Sequence, residues 1–264
     1  MFMKNYKFQL SIITITLNNY EGLIRTYNSI KTIISSEIEW VIIDGGSDDE
    51  TMNFLNELNA DERINITSER DKGIYDAMNK GIKISSGEYI WFLNSGDISL
   101  INSMEDINFN NLGQINVFNI RALNSDIKYI KWRGLTNNLD LIKVYPCIPH
   151  QSTIFEKTIF ELYGNYKLDY SIVSDYEKYC LFYSQGVEFK FFKDQTLAGF
   201  VNDGISSKFN NSLKILREIT RIQKKYFNRV SYKTHLYYRS RFLISLIFSD
   251  KINNKLRSIL FKKY

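Results

Sequence analysis

Apolar runs and amphipathic segments alternate through the first hundred residues of the chain. Four runs rich in Ile, Thr and aromatic residues are typical of strands, and each stops at a polar cluster. Between them, apolar residues recur at helical spacing, as in Leu23, Tyr27, Ile30 and Ile34. The predicted strands are residues 9–17, 39–46, 64–70 and 87–97, and the predicted helices are residues 18–34, 47–59 and 73–85. This alternation predicts an α/β fold with a mostly parallel central sheet sandwiched by helices.

The second half of the chain carries a weaker and more mixed pattern. A strand running into a helix is predicted over residues 150–164, and residues 174–186 predict a helix that ends at Gly186. From Ser212 onward the pattern is helical. Further strands, in a more antiparallel arrangement, are predicted at residues 115–120, 128–134, 141–146 and 187–201.

A change in charge near residue 207 marks the predicted domain boundary. Residues 208–264 contain 15 lysines and arginines and only two acids, whereas residues 1–207 contain 19 basic and 27 acidic residues. We therefore predict a domain over residues 1–207, with halves of about 1–98 and 99–207, and a basic helical extension over 208–264. An acidic body suits metal and hydroxyl ligands, and a basic extension suits an anionic surface.

Composition narrows the class of protein. The chain has 264 residues and is 44% hydrophobic, which allows one large core or one domain with an appendage. Cys147 and Cys180 lack metal-type spacing, which favours a reducing compartment, and two histidines exclude a multi-histidine metal site. The apolar stretch 8–17 is too short to span a bilayer and lacks a cleavage site, so we interpret it as a strand.

Common signature motifs are missing from the sequence. It contains no G-x-x-x-x-G-K-[ST], which argues against a P-loop, and no G-x-G-x-x-G after the first predicted strand, which argues against a classical dinucleotide site. It also contains no G-x-S-x-G nucleophile elbow.

Polar residues follow each of the four strands predicted in the first half. In a parallel sheet these ends share one edge, where ligands of open α/β sheets bind. Asp44 has two interpretations here. It could end a strand before a glycine turn and a helix capped by Ser47 with Glu50, or accept hydrogen bonds from a base or ribose. The polar clusters are Asn18 and Asn19, residues 44–48, residues 69–71 and residues 94–97.

Three ordered segments carry a resemblance to a known family. "SIITITLNNYEGLIRTYNSI", "EWVIIDGGSDDET" and "SERDKGIYDAMNKGIKISSGEYIWFLNSGD" resemble the nucleotide-sugar domain of family 2 glycosyltransferases, closely over residues 9–97 and more loosely to about 207. The resemblance implies the GT-A fold and inverting transfer of a sugar from a nucleotide-sugar, with a UDP-sugar expected. The implied acceptor is a hydroxyl of a glycan or lipid-linked molecule in bacterial surface polysaccharide synthesis.

The resemblance implies donor-binding roles for seven residues. They match the loop after the first strand, the base-binding aspartate, the segment that holds the diphosphate, and the start of the family's Asp-x-Asp motif. In the helix predicted at 73–85, Asp76 and Asn79 either contact ligand or cap neighbouring loops. The seven residues are Thr16, Asn18, Asp44, Arg70, Asp71, Asn94 and Ser95.

The Asp-x-Asp position departs from the family pattern. Asn94 and Gly96 stand where the family carries acids, and only Asp97 keeps a charge. Because Mg²⁺ typically uses one or two protein carboxylates with substrate oxygens and water, one carboxylate can suffice. The resemblance therefore implies a divalent metal, Mn²⁺ or Mg²⁺, on Asp97.

The implied inverting reaction needs a general base in the second half of the domain. Asp175 in "SIVSDYEKY" matches that place, with Glu177 as the alternative, and Asp175 also suits a helix N-terminus. In the implied mechanism Asp175 takes the acceptor proton, the acceptor oxygen attacks C1, and the metal on Asp97 stabilises the departing diphosphate. His150 in "PHQST" is either a contact to acceptor or phosphate, or a structural residue.

The basic extension and the weakened motif leave alternatives open. The extension is either a helical cap with a solvated basic face or an amphipathic segment on anionic lipid. We expect a cytoplasmic protein with no nucleic-acid partner. If the extension binds lipid, we expect the protein on the inner face of the plasma membrane. The rival functions are a catalytically weakened nucleotide-sugar binder or scaffold, and a sugar-nucleotide nucleotidyltransferase. The latter needs a Gly-rich basic loop where this chain has "TLNNYEG".

Overall fold

The computed structural model describes residues 6–123, 129–130, 138–201 and 209–247. Within them, nine strands form one sheet in the order β3-β2-β1-β4-β8-β6-β9-β5, with β7 beside β6. The strands are β1 Phe8–Thr16, β2 Ile38–Asp44, β3 Ile64–Ser68, β4 Gly87–Phe92, β5 Ile98–Ser99, β6 Ile115–Leu123, β7 Tyr129–Ile130, β8 Thr153–Glu156 and β9 Phe189–Val201. The α-helices are α1 Tyr20–Ile30, α2 Glu50–Leu58, α3 Ile74–Ile84, α4 Thr158–Tyr163, α5 Ser174–Ser184, α6 Ser212–Phe227 and α7 Tyr232–Ile247.

The first four strands run parallel and end level with one another. Thr16 at the end of β1 pairs with Asp44, and Asp44 pairs with Ser68 at the end of β3. On the other side of β1, β4 pairs with it in parallel, up to Phe92 opposite Ile13. This register places the loops that follow β1, β2, β3 and β4 at one edge of the sheet, as the alternating sequence pattern predicts.

Helices cover both faces of this parallel half. Successive residues of β1 point to opposite faces, and Ile12 and Ile13 accordingly belong to separate buried clusters. Ile12 shares its cluster with residues of α1 and α2, and Ile13 shares its cluster with residues of α3. The predicted fold class, a mostly parallel sheet between helices, is confirmed in this half.

The second half is mixed, as expected, but one of its predicted strands is wrong. β8 is antiparallel to both β4 and β6, whereas β9 is parallel to β6. Residues 141–146 were predicted as a strand, but residues 141–143 belong instead to a 3₁₀-helix at Leu139–Lys143 that buries Ile142. A short apolar run does not distinguish a strand from a buried helical turn. Of the strand predicted at 128–134, β7 covers residues 129–130, and residues 131–137 lie outside the described part.

Helix α2 begins later than the capping-box pattern predicts. Its N-cap is Asp49, whose carboxylate accepts a hydrogen bond from the Thr51 N–H at 3.0 Å. The predicted cap, Ser47, is wrong because its hydroxyl donates to Asp44 instead.

The first helix of the basic extension is part of the main core. Ile215, Ile219 and Ile222 of α6 are buried in the cluster that also holds α3 and α5. The boundary predicted near 207 falls among residues 202–208, outside the described part, and remains a prediction. In the ranges that the model describes, no helix is both long enough and apolar enough to cross a membrane.

Candidate functional site

Three of the four loops at the carboxyl edge are joined by polar contacts around Asn18 and Asn19. Asn18, in a left-handed conformation (φ 46°), accepts a hydrogen bond from the Asp48 N–H at 3.0 Å, and its own N–H donates to the Ser47 hydroxyl at 2.8 Å. The Asn19 amide donates to the Ser95 hydroxyl at 3.0 Å. The loop after β1 therefore bridges the loops that follow β2 and β4.

Asp44 is fully buried, and its carboxylate accepts four hydrogen bonds from protein donors. Oδ2 accepts from the Gly46 and Ser47 N–H groups at 3.1 and 2.9 Å and from the Ser68 hydroxyl at 2.6 Å, and Oδ1 accepts from the Ser47 hydroxyl. Oδ1 therefore accepts one hydrogen bond, whereas Oδ2 accepts three. In this state Asp44 holds the turn 44–47 against β3.

The turn Asn94–Asp97 is fixed to α1 through Thr26. The Asp97 N–H donates to the Asn94 carbonyl at 2.9 Å, and Gly96 adopts a φ of 101°, which favours glycine. The buried Thr26 hydroxyl lies 2.8 Å from the Asp97 carbonyl and accepts a hydrogen bond from the Gly96 N–H at 3.0 Å. Sequence reasoning missed Thr26, because a threonine inside a helix carries no sign of a partner about 70 residues away.

Two buried oxygens at this edge have no hydrogen-bond partner in the described residues. They are the Thr16 hydroxyl and Oδ1 of Asn94. Asp97 is also buried, at 7% exposure. Because buried polar atoms are normally paired, these two oxygens mark a place where a polar ligand or water would be bound.

Arg70 and Asp71 reach the same edge from the loop after β3. A Cβ placed on Gly45 would lie 2.7 Å from Asp71 Oδ2, and one on Gly46 would lie 3.4 Å from Arg70 Cγ. The absence of a side chain at Gly45 thus permits the close approach of Asp71. Asp71 also accepts a hydrogen bond from the Gly73 N–H at 2.7 Å.

Asp76 and Asn79 contact neighbouring loops, which is the second of the two roles considered for them above. Asp76 accepts a hydrogen bond from the Lys72 N–H at 2.9 Å. Asn79 donates to the Tyr166 carbonyl at 3.0 Å and accepts from the Tyr166 N–H at 2.9 Å. These contacts fix the loops on either side of α3.

Asp175 lies half-buried in the first turn of α5 and contacts α3. The Tyr75 hydroxyl lies 2.9 Å from Asp175 Oδ1 and 2.8 Å from the Ile172 carbonyl. Burial, with the nearby Asp175 charge, raises the pKa of Tyr75 well above its usual value. Tyr75 therefore remains a protonated donor that holds the Asp175 carboxylate.

His150 packs on β4 and lies near the charge of Asp175. Its ring stacks on Phe92, with centroids 5.0 Å apart, and Nδ1 lies 3.3 Å from the Tyr179 hydroxyl. Burial lowers the pKa of His150, and the charge of Asp175 opposes this in part. Nε2 is buried and has no partner in the described residues. His150 is thus a neutral imidazole that packs on the strand leading into the turn 94–97 and is near enough to Asp175 to respond to its charge.

Glu177, the alternative base, faces away from this group. Its side chain is fully buried, and Oε1 accepts hydrogen bonds from the Lys225 ammonium at 2.7 Å and from the Tyr226 hydroxyl, both on α6. Glu177 joins α5 to α6, which is a structural role.

The residues at the turn suit a divalent metal only in part. The described residues contain no group of three His, Cys, Asp or Glu side chains that could hold an ion. Asp97 and the unpartnered Oδ1 of Asn94 are hard oxygen donors on a single turn. Such a pair fits a Mg²⁺ or Mn²⁺ ion that takes its remaining oxygens from a diphosphate and water.

Comparison with solved structures identifies the fold. Mannosyltransferase PcManGT from Pyrobaculum calidifontis, solved with GDP-Man and Mn²⁺, matches with a TM-score of 0.60 at 12% identity, over 83% of this chain and 67% of that chain. S. aureus TarS 1–349, solved with UDP-GlcNAc, matches with a TM-score of 0.62 at 14% identity, over 83% and 72%. The fold is therefore the GT-A fold.

Sequence comparison gives the family that the first part of the chain matches. A model described as glycosyl transferase family 2 matches residues 11–107. A PGL/p-HBAD biosynthesis glycosyltransferase of Mycobacterium bovis (strain BCG / Pasteur 1173P2) is 31% identical over 178 residues, which is 63% of this chain. The match spans 66% of that relative, just under two thirds of its length. Residues 11–107 of the chain therefore match glycosyl transferase family 2, as the resemblance of its motifs predicts.

The lowered pKa of His150 predicts a dependence of stability on pH. On acidification the unfolded chain takes up this proton near the ordinary histidine pKa of about 6.5, before the folded chain does. Stability is then fully present above that pH and is lost as the pH falls toward the folded pKa. Wild type should lose about 1 kcal/mol more of its unfolding free energy than His150→Gln between pH 7.5 and 5.5. Urea denaturation at both pH values measures this, and equal losses would contradict it.

Proposed function

We propose that this protein transfers a sugar, with inversion, from a nucleotide-sugar to a hydroxyl of a glycan or lipid-linked acceptor. One observation carries the proposal: the charge of Asp175 acts on His150, whose ring stacks on Phe92, two residues before the turn 94–97 that holds Asp97. A UDP-sugar is the proposed donor, supported by the UDP-GlcNAc complex of the structural neighbour. The name of the mycobacterial relative supports a role in building cell-surface glycans.

The donor binds, in this proposal, at the carboxyl edge of the parallel half. The unpartnered Thr16 oxygen accepts a hydrogen bond from a donor hydroxyl or N–H group, and the Asn94 amide N–H₂, Asn18 and Ser95 add polar groups on the adjoining loops. The Arg70 guanidinium and the segment at Asp71 hold the diphosphate.

Asp44 keeps an acceptor position for the base on Oδ1, which accepts only the Ser47 hydroxyl, whereas Oδ2 accepts three donors. Because Asp44 is fully buried, the base reaches Oδ1 in this proposal by displacing Ser68, which lies exposed on the edge strand β3. We assign Asp44 two roles: Oδ2 shapes the turn 44–47, and Oδ1 accepts a base N–H.

A divalent metal, Mn²⁺ or Mg²⁺, is held in this proposal by Asp97, with Asn94 Oδ1 as a second protein oxygen. When bound, it supplies positive charge that stabilises the departing diphosphate. The remaining chemistry belongs to side chains of the second half.

Asp175 removes the proton of the acceptor hydroxyl in the proposed mechanism. Tyr75 occupies Oδ1, which leaves Oδ2 to accept the proton as the acceptor oxygen attacks C1 opposite the diphosphate. His150 is neutral, and its free Nε2 is assigned to orient the acceptor or a phosphate oxygen.

Replacing Asp175 tests the assignment of the base. With Mn²⁺ and a panel of UDP- and GDP-sugars, Asp175→Asn should lower kcat about 100-fold or more, because it removes the general base, and UDP affinity should stay unchanged. Turnover assays and calorimetric titration with UDP measure both quantities.

Two results would contradict this function. A wild type that binds UDP and turns over no sugar nucleotide would favour a nucleotide-sugar binder, which the single charge at the turn 94–97 keeps as the second candidate. Unchanged turnover in Asp175→Asn would remove that residue from the mechanism. Asp61→Asn, whose carboxylate pairs with Arg63 ahead of β3 and away from the carboxyl edge, is the control, and its kcat should match wild type.

Replacing Asp97 tests the metal assignment. Asp97→Ala should lower metal-dependent transfer about 100-fold, because the ion loses its charged ligand. Asn94→Ala should cost only about tenfold, since an amide oxygen is a neutral ligand. Titration of activity with Mn²⁺ measures both, and a larger loss in Asn94→Ala than in Asp97→Ala would reverse the assignment.

A membrane contact through α7 is part of the proposal. One stripe of this helix carries Tyr232, Leu236, Leu243 and Leu246, which are 79%, 59%, 58% and 67% exposed. The exposed Arg239 lies in the same stripe. Apolar and basic groups on one exposed face suit an anionic lipid surface. We therefore place the reaction at the cytoplasmic face of such a membrane.

Substitutions in the stripe test the membrane contact. Leu236→Ser with Leu243→Ser should weaken binding to vesicles of phosphatidylglycerol and phosphatidylcholine about tenfold or more, since each buried leucine contributes about 1.5–3 kcal/mol. Leu162→Ser, at a 70% exposed position on α4, should bind like wild type. Vesicle flotation measures binding, and equal flotation of all three proteins would disprove the contact.

A further inference from the structure

The segment that leads into α5 is held by a carboxylate from α6. The N-cap residue of α5 is Val173, which has no side-chain acceptor. Glu218, only 6% exposed, supplies the acceptors from 45 or more residues away. Its Oε1 accepts from the Ser171 N–H at 3.0 Å and hydroxyl at 2.9 Å, and its Oε2 accepts from the N–H groups of Ile172 at 3.0 Å and Val173 at 3.2 Å.

Ile172 links the hydrogen bonds of Glu218 to those around Asp175. The N–H of Ile172 donates to Glu218, and its carbonyl lies 2.8 Å from the Tyr75 hydroxyl. The same hydroxyl lies 2.9 Å from Asp175 Oδ1. The backbone at Ile172 is thus fixed on both sides, and Asp175 follows it by three residues.

We propose that Glu218 is a positioning residue for Asp175. Its carboxylate fixes the backbone of residues 171–173, which sets the start of α5 and the direction of the Asp175 side chain. Four charge-assisted hydrogen bonds to one buried carboxylate form a rigid support. The inference rests on the proposed role of Asp175 as base, and it makes α6 a part of the active site without contact to substrate.

The polar contact between Glu177 and Lys225 provides a matched control. It also joins α5 to α6, through a 2.7 Å ion pair, but it lies beyond the segment that Glu218 holds. Lys225→Gln therefore weakens the contact between the same two helices and leaves the backbone of residues 171–173 supported.

The test compares Glu218→Ala, Glu218→Gln and Lys225→Gln with wild type, using UDP-GlcNAc and GDP-mannose with Mn²⁺. Glu218→Ala should lower kcat about tenfold or more, because small displacements of a catalytic group cost large factors in rate. The donor KM should stay within about twofold of wild type. Glu218→Gln, which keeps one acceptor oxygen, should fall between wild type and Glu218→Ala, and Lys225→Gln should keep the wild-type kcat.

Amide hydrogen exchange of residues 168–178 gives a readout that does not depend on activity. Exchange there should be faster in Glu218→Ala than in Lys225→Gln, with both proteins folded at the assay temperature. A kcat of Glu218→Ala equal to that of Lys225→Gln, or an unchanged exchange rate, would overturn the positioning role. Absence of turnover in wild type would instead overturn the proposed function, and this inference with it.

Discussion

The parallel register of β1, β2 and β3 is the constraint on which the site depends. Because Thr16, Asp44 and Ser68 are paired across these strands, the loops that follow them must begin at one level. The buried Asp44 carboxylate then joins the end of β2 to the end of β3 through Ser68, and it holds its own turn through Ser47. A shift of register would separate the polar groups and exchange the side chains that fill the two buried clusters.

In the second half of the molecule, the site depends on the position of one helix, α5. Helix α5 carries Asp175, and it enters from a loop whose own residues offer no cap. The contacts come instead from Tyr75 on α3 and Glu218 on α6. The first helix of the basic extension therefore supports the candidate base and helps to close the core. The second helix of this extension, α7, exposes the apolar stripe that is proposed to contact a membrane.

Much of this could be predicted from the sequence, because local patterns decide it. The hydrophobic periodicity predicted the strands and helices of the first hundred residues, and the polar strand ends predicted the edge at which Asn19 and Ser95 now meet. Long-range partnerships left no local signal. Neither Thr26 beneath the turn 94–97 nor Glu218 beneath α5 differs in sequence from ordinary helix residues. The cap assigned to Ser47 was wrong for the same reason, since a tertiary partner took its hydroxyl.

A crystal structure with UDP and Mn²⁺ tests the central claim most directly. We predict UDP at the carboxyl edge, between the loops at Asn18, Asp44 and Arg70. Asp97 should bind Mn²⁺, and Asp175 should lie on the side from which an acceptor would attack C1, opposite the diphosphate. UDP bound away from this edge, or a metal that Asp97 does not touch, would contradict it.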